Sequence, residues 1–92
     1  MIKSFKHKGL EKFFTTGSTA GIQFQHKRRL QEQLRALQTA TVIEDMNISG
    51  WHLHPMKGTA ISLWAIKVSG NWRIVFRFKD GQAYIVNYED YH

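Results

Sequence analysis

The sequence predicts an α+β domain in which two N-terminal helices pack on a mainly antiparallel sheet of about four to five strands. Three observations predict this class. Apolar residues recur at helical spacing in the first part of the chain, and they alternate at strand spacing in the last part. Glycine-containing turn signals separate the last strands from one another. The 92 residues have the length of one domain, which we expect to span residues 1–92.

The N-terminal segment predicts a short strand and a first helix. Ile2–Phe5 begins and ends on an apolar residue, which favours a strand. Leu10, Phe13 and Phe14 then stand at positions i, i+3 and i+4 and form one apolar helical face. Gly17 is expected to end this helix, because glycine readily adopts the left-handed conformation found after a helix C-terminus. We expect the apolar face to pack in the core.

The longest helical pattern runs from Ile22 to about Leu37. Leu30, Leu34 and Leu37 follow one another at i, i+4 and i+7, which predicts the buried stripe of a second helix. Residues Thr39–Gly50 are mainly small and polar, and they predict a connecting loop with room for one helical turn.

The second half of the chain predicts the sheet. Trp51–Gly58 favours an edge strand that ends at a turn, because Pro55 cannot donate a hydrogen bond to a neighbouring strand. Leu63–His92 then predicts three strands in succession. Their turns fall at Ser69–Asn71 and Lys79–Gln82, where Gly, Asn and Asp accept the backbone angles of tight hairpins. Consecutive hairpins favour an antiparallel sheet, with the helices on one of its faces.

The strand between these two turns has two chemically different faces. Its apolar face consists of Trp72, Ile74, Phe76 and Phe78. The period of two directs Arg73 and Arg77 to the opposite face. We therefore predict a surface that can handle phosphate.

The composition excludes several kinds of protein. The chain has no Cys, which excludes disulfides and thiolate metal sites. No apolar run approaches the roughly 20 residues of a membrane-spanning helix. Lysines interrupt the apolar residues of the N-terminus, unlike a signal peptide. We expect a cytoplasmic protein with no membrane partner.

The charge is positive and unevenly distributed. Thirteen Lys and Arg against seven Asp and Glu give a net charge of +6, and eight of the cations fall within residues 1–35. This field favours a polyanion such as nucleic acid, although an acidic protein partner or a merely soluble surface would also explain it. Lys27, Arg28 and Arg29 form either a solvated helix face or a set of contacts to RNA phosphates. Arg77 joins them as a candidate for RNA binding.

Seven side chains could carry chemistry: His54, Lys57, Arg73, Arg77, Asp90, Tyr91 and His92. They suit metal-free cleavage of RNA, in which the ribose 2′-hydroxyl attacks the adjacent phosphate. Imidazole moves protons at neutral pH, guanidinium holds phosphate charge, and tyrosine stacks on bases. Each residue taken singly also fits a structural role; Arg73, for example, could pair with an acid across the sheet.

The histidines also invite a metal hypothesis, because His52 and His54 would share one face of a strand. A zinc site needs a further ligand, so we expect no metal and no cofactor. Pro55 should instead direct His54 and Lys57 towards the sheet face that carries Arg73. Negative charge near His92 favours its protonated form, which makes general acid its first assignment.

Four segments carry a family resemblance: MIKSFKHKGL, LHPMKG, GNWRIVFRF and the terminal YEDYH. Together they resemble the HigB toxins of bacterial toxin–antitoxin systems, within the RelE superfamily, over essentially the whole chain. The resemblance implies a compact domain that enters the A site of the 30S ribosomal subunit and cuts translated mRNA without a metal. It also implies neutralisation by a HigA-like antitoxin, a helix-turn-helix protein, so that the toxin would meet operator DNA only through that antitoxin.

The family's functional positions correspond here to His54, Lys57, Arg73, Asp90, Tyr91 and His92. Met56, within LHPMKG, stands where many relatives have Leu, which is a conservative change. Two other functions fit the same residues. One is an RNase that cuts free RNA, and the other is a non-catalytic basic protein that blocks translation by occupying RNA or the ribosome.

Overall fold

The computed structural model describes residues 1–91, which form two α-helices and a four-stranded antiparallel sheet. The helices are α1 (Lys8–Thr16) and α2 (Lys27–Thr39). The strands are β1 (His54–Pro55), β2 (Trp64–Ser69), β3 (Trp72–Lys79) and β4 (Gln82–Asp90), and they lie in the order β1-β2-β3-β4. The predicted α+β class is confirmed. No helix within the described residues is long and apolar enough to cross a membrane.

Hydrogen bonds at both ends define α1. At its start, His7 Nδ1 accepts a hydrogen bond from the Leu10 N–H at 2.9 Å, which satisfies a helix donor that would otherwise lack a partner. At its end, Gly17 has a φ of +81° and its N–H donates to the Phe13 carbonyl at 2.8 Å. Gly17 therefore ends the helix as the sequence predicted.

The second helix begins later than the predicted Ile22, because contacts outside the helix hold the preceding residues. A Cβ on Gly21 would lie 2.5 Å from Gly9 Cα, so the two backbones touch and neither position accepts a side chain. The Gln23 N–H donates to the Tyr88 hydroxyl at 3.3 Å, and Gln23 is extended. A 3₁₀ turn over Phe24–His26 then leads into α2.

A single apolar core lies between the helices and one face of the sheet. Its fully buried members include Leu10, Leu30, Leu34, Leu37, Ile66, Ile74, Phe76 and Val86. The leucine stripe predicted for the second helix is therefore confirmed as core. Gln33 is also fully buried, and its Nε2 donates to the Lys67 carbonyl at 2.7 Å. This bond ties α2 to β2, and β2 carries part of the site described below.

The predicted strand at Ile2–Phe5 is wrong in its extent. The segment makes two isolated parallel bridges, Ile2 with Ala83 and Phe5 with Val86. Ile85, between those two partners, has a φ of +48°, and the β3–β4 register shifts beside it. This irregularity in β4 prevents a continuous ladder. The connecting loop does contain the anticipated helical turn, a 3₁₀ helix at Ile43–Met46.

The two faces of β3 depart from the predicted alternation. Val75 is 5% exposed although it shares a face with Arg73. It is covered because Ala65 of β2 and Asn87 of β4 flank it in the sheet. Arg73 and Arg77 are half-buried rather than fully exposed. The face opposite the helices is therefore partly closed, and it has an opening at one end.

Candidate active site

That opening is a cleft of about 240 Å³ where the start of β3 meets β1 and the end of β4. Its lining residues are His52, His54, Lys67, Gly70, Trp72, Arg73 and Tyr91. Three of the residues predicted from the sequence as catalytic, namely His54, Arg73 and Tyr91, thus share one cleft. His54 lies on the same side of the sheet as Arg73, which confirms the expected direction of its side chain.

Arg73 is held from two sides. Its Nε and Nη2 donate to Glu89 Oε2 at 3.1 and 2.7 Å, and its Cζ lies 4.2 Å from the centre of the Tyr91 ring. The other oxygen of Glu89 accepts a hydrogen bond from Asn87 Nδ2 at 3.2 Å. A guanidinium carries five N–H groups, so three remain for an anion in the cleft. The cross-strand ion pair therefore uses two of the five N–H groups of Arg73.

Lys67 is a second cation of the cleft, and sequence reasoning missed it. It stands directly opposite Arg73 in the β2–β3 pairing, although like charges at opposite positions are unfavourable. A bound anion would relieve this repulsion. The signal was present in the sequence, since both residues lie three positions from Gly70 of the predicted hairpin turn.

The ring of His54 is oriented by the main chain beside it. Its Nδ1 lies 2.7 Å from the carbonyl oxygen of His52. A carbonyl oxygen only accepts hydrogen bonds, so Nδ1 is the donor in this contact. His52 itself has a φ of +51°, in the left-handed region. The edge strand predicted over Trp51–Gly58 is consequently reduced to His54–Pro55, because the chain turns at His52 and again at Gly58.

An aromatic cluster supports the wall of the cleft. The rings of Trp72 and Tyr88 stack with centres 4.5 Å apart, and the edge of His26 packs on Trp72 at 5.6 Å. His26 Nδ1 is 2.6 Å from the Tyr88 hydroxyl. Burial lowers the pKa of His26 and raises the pKa of Tyr88, so both groups are neutral at pH 7. The wall is therefore uncharged.

The HigB-like toxin family, described as the RelE-like toxin of the type II toxin–antitoxin system HigB, matches residues 3–92. This chain belongs to that family. Endoribonuclease HigB of Proteus vulgaris is 51% identical over 92 residues, which cover 100% of both chains. The resemblance inferred from the sequence is confirmed, and membership of a type II toxin–antitoxin family implies an antitoxin partner.

Three other site residues predicted for this HigB-like toxin, Lys57, Asp90 and Arg77, are not among the residues that line the cleft. Lys57 is exposed in the loop between β1 and β2, and it does not line the cleft. Asp90 ends β4 opposite Trp72. Arg77 lies further along β3, opposite Tyr84. His92 falls outside the described residues. Within residues 1–91, no three His, Asp or Glu side chains are grouped to hold a metal ion.

The three cations predicted to bind RNA from the second helix differ in their surroundings. Lys27 is exposed, and the Arg28 side chain is 93% exposed, with its Nε 3.8 Å from Glu32 Oε1. Arg29 Nη2 instead donates to the Gly50 carbonyl at 3.0 Å, and its guanidinium lies 6.0 Å from the Trp51 ring. In this HigB-like toxin, Arg29 therefore anchors the loop before β1, whereas Lys27 and Arg28 face solvent.

Proposed function

We propose that this toxin is an endoribonuclease that cuts mRNA in the A site of the 30S subunit, without a metal or cofactor. A full-length relative with 51% identity is named an endoribonuclease. The observation that carries the proposal is the cleft, which the oriented imidazole of His54 lines together with two cations, Lys67 and Arg73. An imidazole can transfer a proton and the cations can hold negative charge on phosphorus, which are two of the functions that RNA cleavage by its own 2′-hydroxyl requires.

The reaction proceeds by attack of the ribose 2′-oxygen on the adjacent phosphorus. One bond forms from the 2′-oxygen to phosphorus, and the bond from phosphorus to the 5′-oxygen breaks. A base removes the 2′-hydroxyl proton, and an acid protonates the 5′-oxygen, which leaves a 2′,3′-cyclic phosphate and a 5′-hydroxyl. Lys67 and the three unused N–H groups of Arg73 hold the charge that builds on phosphorus. His92 is the proposed general acid, and Asp90 precedes it by two residues in the chain.

Tyr91 provides a place for a nucleobase. Its side chain is 49% exposed, and the Arg73 guanidinium lies over one face of its ring. The opposite face can stack on a base, since such stacking contributes about 1–3 kcal/mol in RNA complexes. The phosphate beside that base then lies next to Arg73. Lys57, three residues after His54, contacts the next phosphate along the RNA chain.

The proposed partners follow from the charge and from the family. Lys27 and Arg28 at the start of α2 contact ribosomal RNA phosphates, with Arg29 and Arg77 adding to the positive field. A HigA-like antitoxin neutralises the toxin in the cytoplasm and carries it to operator DNA.

The test is mapping of new 5′ ends on mRNA in a purified translation reaction, with and without ribosomes. In one arm the toxin alone is first incubated with a metal chelator. We expect cuts that need ribosomes, that are unchanged by this preincubation, and that leave 5′-hydroxyl ends. Equal cutting of free RNA would replace the proposal with a ribosome-independent RNase. Blocked translation with intact mRNA would replace it with inhibition by occupancy.

A further inference from the structure

His52 has the least usual backbone among the residues that line the cleft. Its φ of +51° lies in the left-handed region, which residues other than glycine seldom adopt. Asn, Asp and His tolerate this region better than other side chains, and β-branched residues tolerate it least. Such a conformation persists only where the surrounding structure imposes it.

The pairing of the neighbouring strand imposes it here. The Trp51 carbonyl accepts the Lys67 N–H at 2.7 Å, and His54 pairs with Ala65. Three residue steps from Trp51 to His54 therefore run alongside only two steps from Lys67 to Ala65. The surplus residue has to be absorbed between these points, as in a β-bulge. The left-handed turn at His52 absorbs it.

This turn aims the His52 carbonyl at the ring of His54. The oxygen lies 2.7 Å from Nδ1, so Nδ1 carries a proton. In the neutral imidazole Nε2 then has a free lone pair. An unrestrained histidine in water prefers the opposite tautomer, with the proton on Nε2. The main chain at His52 thus favours the less common form.

We propose that His52 is a positioning residue: its left-handed backbone holds His54 with Nδ1 protonated, so that Nε2 is the base for the ribose 2′-hydroxyl. This inference rests on the proposed function and assigns the direction of proton transfer within it. The 2′-hydroxyl proton passes to Nε2 as the 2′-oxygen bonds to phosphorus. The imidazolium that forms still donates from Nδ1 to the His52 carbonyl.

That contact strengthens during the reaction. A hydrogen bond from a charged donor is roughly twice as strong as one from a neutral donor. The His52 carbonyl therefore stabilises His54 more after proton transfer than before it, which is the condition for accelerating the step.

The first test needs no activity. Two-bond ¹H–¹⁵N correlation spectra distinguish the nitrogens of each imidazole, and the His54 signals are identified by their loss in His54→Gln. At about pH 8, where an ordinary imidazole is neutral, we expect His54 to have the proton on Nδ1. A spectrum with the proton on Nε2 would overturn the proposal, whether or not the protein cuts mRNA. Failure of cleavage with the expected tautomer would instead count against the proposed function alone.

The second test separates the backbone of His52 from its side chain. His52→Asn and His52→Gly both accept a positive φ, whereas His52→Val does not. We expect His52→Val to shift His54 towards the Nε2–H tautomer and to lower kcat by at least about 10-fold relative to the Asn and Gly variants, with KM for programmed ribosomes unchanged. This is a fraction of the 10²–10⁴-fold that acid–base catalysis contributes.

Two outcomes of this series would reject the positioning role. Equal rates for the Val, Asn and Gly variants would mean that the backbone conformation does not matter. Equal losses in all three would mean that the imidazole of His52 acts directly. The wild-type spectrum remains decisive even if His52→Val does not fold.

Discussion

Replacement of Arg73 tests the cleft most directly, because one side chain there has both a structural and a proposed chemical role. Its guanidinium gives two N–H groups to Glu89 and leaves three for the substrate phosphate. Arg73→Ala should therefore lower both the stability and the rate, and the two losses can be calculated separately. Arg73→Lys should separate them, because an ammonium keeps the charge but has no planar fork.

The expected loss of stability is small. Hydrogen bonds to a charged group contribute about 1.5–3 kcal/mol when buried. The Arg73 and Glu89 side chains are 18% and 35% exposed, so solvent screens the pair. We expect Arg73→Ala to lower the free energy of unfolding by about 1 kcal/mol, which lowers Tm by roughly 4–8 °C in a domain of this size. This loss is small against the free energy of unfolding of about 5–15 kcal/mol that is typical of folded domains, so we expect the variant to remain folded at 25 °C.

The expected loss of rate is larger. Removing one donor that stabilises developing oxyanion charge typically costs about 10²–10³ in kcat, or about 2.7–4 kcal/mol. Arg73→Ala should thus slow single-turnover cleavage on programmed ribosomes by about 10² or more. Arg73→Lys should recover most of the stability and little of the rate.

Urea denaturation and single-turnover cleavage measure the two quantities on the same preparations. Lys79→Ala is a matched control, because it removes one cation from the far end of the same strand, outside the cleft. Full cleavage by Arg73→Lys would refute the role of the fork and reduce Arg73 to a general electrostatic contact. A rate loss equal to that of Lys79→Ala would refute any special role.

Three further predictions concern other parts of the molecule. Neutralising Lys27 and Arg28 should reduce the slope of the log binding constant for ribosomes against log salt concentration by about 1.5, without changing cleavage once the toxin is bound. Arg29→Ala should instead lower Tm, because the Gly50 carbonyl loses its hydrogen bond. Because burial lowers the pKa of His26 in the fold, the free energy of unfolding should fall as pH drops below about 6.5. Urea titrations at several pH values should show that His26→Gln reduces the number of protons taken up on unfolding by up to one. Removing His92 should abolish cleavage, by 5′-end mapping, yet leave ribosome binding intact; near wild-type cutting would reject its role as the acid.

The order of elements could be predicted from the sequence because it depends on local periodicity. The stripe of Leu30, Leu34 and Leu37 and the turn at Gly70 identify their elements without knowledge of the rest of the chain. The errors have non-local causes. The start of α2 is delayed by the hydroxyl of Tyr88, which is 65 residues away from Gln23. No window of the sequence contains that contact.

The site could be predicted in part, because some of its residues stand in local motifs and others are placed by pairing between strands. His54, Arg73 and Tyr91 stand in motifs that the family resemblance identifies, and the structure brings them into one cleft. Lys67 becomes a site residue only through its pairing across the hairpin. Glu89 becomes one only through the ladder between β3 and β4. Residues that act through register have no motif of their own.

The histidines illustrate what structure adds to an inventory of residue types. His7 uses Nδ1 to accept a helix N–H, and His26 is buried against Tyr88; burial lowers the pKa of both. Neither lines the cleft. His52 contributes a carbonyl rather than a ring nitrogen to its neighbour. Within residues 1–91, His54 is the histidine that combines an exposed ring in the cleft with one nitrogen committed to the main chain. A proton acceptor for RNA needs both properties, because the ring must reach the 2′-hydroxyl and present a free lone pair in one fixed direction.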